Sequence, residues 1–348
     1  MEVLRRRVTV VVCLALVAIA AGQKLSLKER RTAVFDSLAN HPGLKFLDLE
    51  FCGTGSEAQI SRGPLGCGFP VVGDHPWLVA LGFRAPGGRI TYTCAGALIS
   101  DQFVVTSARC ALGGHDFPLA KVRLGEYDFG TSSDCLWYAP EQCLQSQEID
   151  TADVMVHPKF KPSLWRAGAS LYDIGIVRLA KPVVLTYGIL PICLPIYSER
   201  PPPRSQRAIG FSLESSAPMT DSGAACCNCS RDRGATSHVM DAVRLSHFNE
   251  TYDGPDACRY RMLGEKAGEP GTCIGAGDGC MADRGGPMVS ADKFGSAYFL
   301  LGVATSVPSE KSCSARKDAE VVYLPVKPHT EWLLSSMDLI AGGSPRPF

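Results

Sequence analysis

Ile90-Thr91-Tyr92-Thr93-Cys94-Ala95-Gly96-Ala97-Leu98-Ile99-Ser100, then Asp101-Gln102, then Phe103-Val104-Val105-Thr106-Ser107-Ala108-Arg109-Cys110 is the stretch on which the fold reading turns. It holds two apolar runs of strand length, separated by polar turn residues and too short for two helices. The same texture recurs on both sides: Trp77–Phe83, Lys121–Leu124, Ile174–Leu179, Ala297–Thr305 and Val321–Val326 are short apolar runs bounded by Gly, Pro, Asp or Ser. Many short strands with turn signals between them predict an all-β sandwich or barrel. The 35 glycines and 24 prolines suit that class better than a helical bundle. One helix is expected at the end, with Thr330 as its cap and Glu331–Ile340 as its body.

The chain has 348 residues, 45% hydrophobic and 20% charged, which is enough apolar material for a sizeable core. Its 35 basic and 35 acidic residues give no excess that would favour nucleic acid or an anionic membrane. Fifteen cysteines point to an oxidising compartment. Arg5, Arg6 and Arg7 precede an apolar run from Val8 to Ala21, the charged-then-apolar pattern of a secretory signal peptide cleaved after Ala20 or Gly22. Its removal takes Cys13 and leaves an even number of cysteines, as a disulfide-bonded secreted protein requires. The expected organisation is a signal peptide (1–22), a leader (23–66), one large domain (67–342) and a tail (343–348). The leader reads as a short helix over Lys24–Asn40, ended by His41-Pro42-Gly43, followed by a Gly/Ser-rich linker over Cys52–Gly66.

Three segments resemble chymotrypsin/trypsin-like serine peptidases. Thr93–Ser100 with Val104–Cys110 is similar to the histidine segment of that family. Tyr172-Asp173-Ile174-Gly175-Ile176-Val177-Arg178-Leu179 is similar to the aspartate segment. Gly277-Asp278-Gly279-Cys280-Met281-Ala282-Asp283-Arg284-Gly285-Gly286-Pro287 is similar to the serine segment, and Pro191-Ile192-Cys193-Leu194-Pro195 matches a further element. The order and separations are those of the family. The resemblance spans roughly residues 67–342 and implies a trypsin-like double six-stranded β-barrel with a C-terminal helix. Val122–Asp128 followed by Asp134-Cys135 and Cys143 resembles the insertion of the arthropod clip-type branch. A clip module needs six cysteines ahead of the protease part. Only Cys52 lies between the signal peptide and Cys67, so a clip is expected to be absent or degenerate.

The family reaction needs a hydroxyl nucleophile, an imidazole base and a carboxylate that orients it. The matching positions here are Arg284, Arg109 and Asp173. A guanidinium cannot act as a base near neutrality and offers no nucleophilic oxygen. The oxyanion-hole glycine is replaced by Ala282. Asp278 stands where trypsin-like members hold a specificity carboxylate, but Val307 and Val321 stand at glycine positions of the pocket walls and would close it. Pro70-Val71-Val72-Gly73, the nearest string to the family's activation terminus, lacks a basic residue before it, so Asp283 has no obvious ammonium to bind. Arg109 is expected to pair with Asp173, and Asp173→Asn to destabilise the fold.

By resemblance the disulfides are Cys67–Cys193, Cys94–Cys110, Cys135–Cys143, Cys258–Cys273 and Cys280–Cys313. The partners of Cys52, Cys226, Cys227 and Cys229 stay open. Metal ligation by Cys226, Cys227 and Cys229 is the alternative to bridges there; the expectation is no metal and no cofactor. Asn228 and Asn249 lie in glycosylation sequons, Asn249 being the better placed. The resemblance implies a secreted, non-catalytic homologue that binds other proteins, proteases or zymogens of an extracellular cascade such as innate immunity or melanisation. The alternative is an active endopeptidase with unusual catalytic residues.

Overall fold

The computed structural model describes residues 38–54, 72–113, 117–136, 139–162, 171–196, 206–213, 237–244, 260–263, 272–275, 283–291, 297–307 and 321–342. In the first half the strands are β1 (Leu78–Arg84), β2 (Ile90–Leu98), β3 (Phe103–Thr106), β4 (Leu119–Leu124), β5 (Asp134–Leu136), β6 (Ala139–Leu144), β7 (Gln147–Val156) and β8 (Gly175–Leu179). In the second they are β9 (Gln206–Leu213), β10 (Ser237–Arg244), β11 (Tyr260–Met262), β12 (Thr272–Gly275), β13 (Pro287–Ala291), β14 (Tyr298–Ser306) and β15 (Val321–Pro325). The helix α1 (Ala108–Ala111) is a single turn, and α2 (Thr330–Ala341) is the C-terminal helix.

Strands β1-β2-β3-β8-β7-β4 close into a six-stranded barrel. Closure removes every sheet edge. The apolar runs fill its interior: Leu81, Leu98, Phe103, Leu124, Ile176 and Leu179 are all fully buried. The second half is a seven-stranded sheet in the order β10-β9-β13-β14-β15-β11-β12, and β5-β6 form a separate ribbon. Cys135 and Cys143 face each other across that ribbon and are bonded, as are Cys94 and Cys110. Cys258–Cys273 and Cys280–Cys313 rest on residues outside the described ones, as do Cys226, Cys227 and Cys229 and the sequons at Asn228 and Asn249.

The tether of the leader differs from expectation. Cys193 is bonded to Cys52, not Cys67. Backbone pairing explains the choice. Gly53 donates to Pro191 O at 2.7 Å and accepts from Tyr298 N at 2.9 Å, while Cys193 N donates to Tyr298 O. Gly53 thus joins the same run of main-chain bonds as Cys193, which brings the Cα atoms of Cys52 and Cys193 to 4.8 Å. Only glycine fits there: φ is +69°, and a Cβ would lie 2.2 Å from Tyr298 O.

The rest of the described leader is also built into the body. Of the helix expected over Lys24–Asn40, only residues 38–40 are described, and they form a turn. A short 3-10 helix, Pro42–Phe46, follows with His41 as its cap. It lies on α2 closely enough that a Cβ at Gly43 would meet Leu334 O at 2.2 Å. Phe46 packs edge-on against Phe103 at 5.5 Å, and Leu38 is buried. Lys45 pairs with Asp338 at 2.6 Å, an exposed contact worth little beside that apolar packing. In α2 itself Thr330 is the first helical residue rather than the cap. The cap is His329, and the Thr330 hydroxyl donates back to Lys327 O at 2.9 Å.

Candidate functional site

Where β3 ends, Ser107 caps α1 by accepting from Cys110 N at 3.2 Å, and this turn carries Arg109. Asp173 precedes β8, which pairs antiparallel with β3. The pairing lays the carboxylate under α1. Asp173 Oδ1 accepts from the Arg109 main-chain N–H at 3.0 Å, and Oδ2 lies 3.1 Å from Arg109 Nε. The side chains are 5% and 0% exposed, so this is a buried ion pair. Burial pushes the Asp173 carboxyl up to about 6, against the pull of Arg109, its amide and Arg284.

Arg284 reaches the same place from the second half of the chain. Its carbonyl accepts from Ala95 N at 2.9 Å and lies 3.5 Å from Cys110 Sγ. Gly285 makes this close approach possible. Its φ is +79°, its N–H donates to Ala304 O, and a Cβ would lie 2.2 Å from Thr106 Oγ1. The Arg284 side chain is half-buried. Burial and the Arg109 charge push its pKa down, and Asp173 pulls it back up. The three residues at the triad-matching positions therefore act on one another electrically.

Asp283 turns its carboxyl inward, where it accepts from Phe211 N. Burial raises it to about 7, offset in part by that hydrogen bond. A carboxyl that holds its proton more tightly folded than unfolded favours the folded state most when protonated. That advantage is lost as the pH rises from the unfolded value to the folded one. Asn can keep the Phe211 hydrogen bond without the buried charge. Asp283→Asn is thus expected to match the parent near pH 4 and to be more stable by about 1–3 kcal/mol near pH 8. Melting curves at the two pH values check this, and a variant less stable at the higher pH would refute it.

Of the expected pocket residues, Val321 is fully buried in β15, where it pairs with Tyr260 of β11, and Val307 is half-buried just past β14. Asp278 and Ala282 lie outside the described residues. Among those described, no group of three or more His, Cys, Asp or Glu is arranged to hold a metal ion.

Two features carry no motif in the sequence. His157 stacks on Tyr172 at 4.8 Å and lies 5.2 Å from His329 and 5.1 Å from Trp332, an aromatic floor beside Asp173. Burial lowers the pKa of both imidazoles, that of His329 to about 4. Near the Cys135 bridge, Glu126 pairs with Arg123 at 2.6 Å. Burial raises its carboxyl to about 7 despite that partner.

The family model described as trypsin matches residues 68–333. Phenoloxidase-activating factor 3 of Holotrichia diomphalia is 25% identical over 269 residues, covering 75% of this chain and 69% of that protein. Phenoloxidase-activating enzyme 1 of Spodoptera litura is 27% identical, covering 78% and 69%. CLIP domain-containing serine protease B9 of Anopheles gambiae is 26% identical, covering 76% of this chain and 61% of its own length. The fold also matches the crystal structure of the Drosophila Grass clip serine protease of the Toll pathway, with a TM-score of 0.57, 19% identity and coverage of 92% and 89%. No helix of the described residues is long and apolar enough to cross a membrane. The barrel, the Cys94–Cys110 bridge beside the first triad position and a family match over most of the chain agree: this protein belongs to the trypsin family, and its relatives include clip-type proteases of insects.

Proposed function

We propose that this chain is a secreted, catalytically inactive member of the trypsin family. It would act by binding other proteins, as a cofactor or regulator in an extracellular protease cascade such as phenoloxidase activation. The observation that carries this reading is the Arg109–Asp173 ion pair with Arg284 beside it. The carboxylate that orients a base in the family here holds a guanidinium, which stays protonated at any relevant pH. Arg284 supplies no hydroxyl for acyl transfer. Loss of either working member removes most of the rate in such enzymes, and here both are replaced. The cascade role is supported by the names of the relatives, two of which are phenoloxidase-activating proteins. The amino-terminal run from Arg5 to Ala21 supports secretion.

The test is labelling with a fluorophosphonate probe, alongside turnover of Arg- and Lys-based chromogenic peptides before and after limited proteolysis. Neither labelling nor turnover is expected. Arg284→Ser alone should stay inactive, because no base is restored. Labelling of the purified protein that is blocked by heat denaturation would favour an active endopeptidase and overturn the reading.

A further inference from the structure

We infer that the Cys135–Cys143 bridge is a solvent-facing site of thiol–disulfide exchange, which an external dithiol opens while the barrel stays folded. The inference is independent of the non-catalytic reading above.

The alternation of strand side chains places this bridge outward. In β5, Asp134 and Leu136 are buried and Cys135 between them is exposed. Successive side chains point to opposite faces of a strand, so the Cys135 side chain stands on the solvent side. Cys143 pairs directly with Cys135 across the ribbon and is half-buried, whereas the next residue, Leu144, is buried. The other two described bridges differ. Cys94 and Cys110 are buried, and so are Cys52 and Cys193. Exchange needs a thiolate to reach one sulfur of the bridge, so access separates the three.

The inner face of the ribbon holds it in place without the bridge. Asp134 accepts from Tyr127 N at 2.8 Å, from Asp128 N at 3.2 Å and from the Thr131 hydroxyl at 2.8 Å. Leu136 and Leu144 are buried, and Leu144 lies so close to Gly188 that a Cβ there would meet it at 2.4 Å. The bridge also closes a short loop. Its cysteines are 8 residues apart in the chain, against 16 for Cys94–Cys110 and 141 for Cys52–Cys193. A short loop restricts the unfolded chain least, so opening it costs the fold least.

The exchange has two steps. One thiolate of the dithiol attacks Cys135 Sγ, a mixed disulfide forms there, and Cys143 leaves as a thiolate that takes up a proton. The second thiol of the reagent, once ionised, attacks the reagent's own sulfur in the mixed disulfide. The reagent closes to its internal disulfide, and Cys135 leaves and is protonated. Two electrons and two protons pass from the dithiol to the bridge.

The experiment holds the full chain in dithiothreitol without denaturant, near pH 8, where thiols ionise. New thiols are blocked with iodoacetamide at successive times. The chain is then unfolded, fully reduced and labelled with N-ethylmaleimide, and peptide mapping reads each cysteine. Cys135 and Cys143 should take iodoacetamide together, about tenfold or more faster than Cys94, Cys110, Cys52 and Cys193. The circular dichroism of the chain should be unchanged once they have done so. Opening of Cys135–Cys143 no faster than that of the buried bridges, opening only alongside loss of the dichroism signal, or labelling of Cys135 before any reductant is added would each overturn the proposal.

Discussion

Arg109→Met is expected to lower stability by about 3–5 kcal/mol near pH 8, and by much less near pH 5. Methionine replaces most of the buried stem of Arg109 but not its charge, so what is lost is the cation beside Asp173. That carboxylate is fully buried. With Arg109 in place, burial already raises it to about 6, even though both guanidiniums pull the other way. Stability linked to such a carboxyl is greatest when it is protonated and falls as the pH climbs from the unfolded value near 4 to the folded value. In the parent that loss is complete a little above pH 6. In the variant the folded value moves higher, so the loss continues upward. Near pH 5 Asp173 is largely protonated in both proteins and the difference is small. For a domain of this size the loss near pH 8 corresponds to a melting temperature lower by roughly 10 °C. Calorimetry at the two pH values reads it directly. An equal loss at both, or none at the higher pH, would remove the ion pair from the account of this fold.

The same burial bears on the expectation for Asp173→Asn. From the sequence, the pair with Arg109 makes Asp173→Asn a destabilising change. In the structure, desolvation of the carboxylate outweighs the attraction it receives. Asparagine avoids that desolvation and its oxygen can still accept from the Arg109 amide, but the Arg109 guanidinium, which cannot lose its proton, then loses the buried counter-charge beside it. Near pH 8, Asp173→Asn is therefore expected to lower stability as well. Residue identity reveals which groups meet; only depth decides which term is larger.

That distinction runs through the whole chain. Five of the six barrel strands, β1, β2, β3, β4 and β8, were legible because their apolar runs are bounded by turn residues, whereas β7 was not announced, since polar residues interrupt it and only one of its residues is buried. The meeting of Arg109 with Asp173 was legible through family resemblance, since pairing of β3 with β8 fixes it. The His157–Tyr172–His329–Trp332 cluster was not, because its members come from three distant segments and follow no local period. The start of α2 was misplaced because Thr330 has the right chemistry for a cap but uses its hydroxyl on Lys327 O. Family resemblance assigned Cys67 to Cys193 and left the partner of Cys52 open. The deciding signal was Gly53, whose positive φ lets the backbone join Pro191 and Tyr298.

That bridge carries the last expectation. Replacing both of its cysteines, Cys52→Ser with Cys193→Ser, should cost about 2–5 kcal/mol, near the upper end because the residues joined are far apart in the chain. The separation is 141 residues. Closing so long a loop removes much freedom from the unfolded chain, about 5 kcal/mol on the chain-entropy account. Native-state packing acts in the same direction. Cys52 and Cys193 are buried with Ala297 and Phe299 in a small apolar cluster of their own, apart from the main core. Once the bridge is gone, the leader is held by the Gly53 main-chain bonds, the Phe46–Phe103 contact and the close approach of Gly43 to α2. The variant should therefore expose its leader to protease before the barrel unfolds. In the parent, cleavage after Arg62 should leave the leader attached until reductant is added, because Cys52 lies on the amino-terminal side of that bond. Peptide mapping without reduction should recover Cys52 joined to Cys193. Recovery of Cys67 joined to Cys193, or release of the leader on cleavage alone, would show that the tether has been assigned to the wrong cysteine.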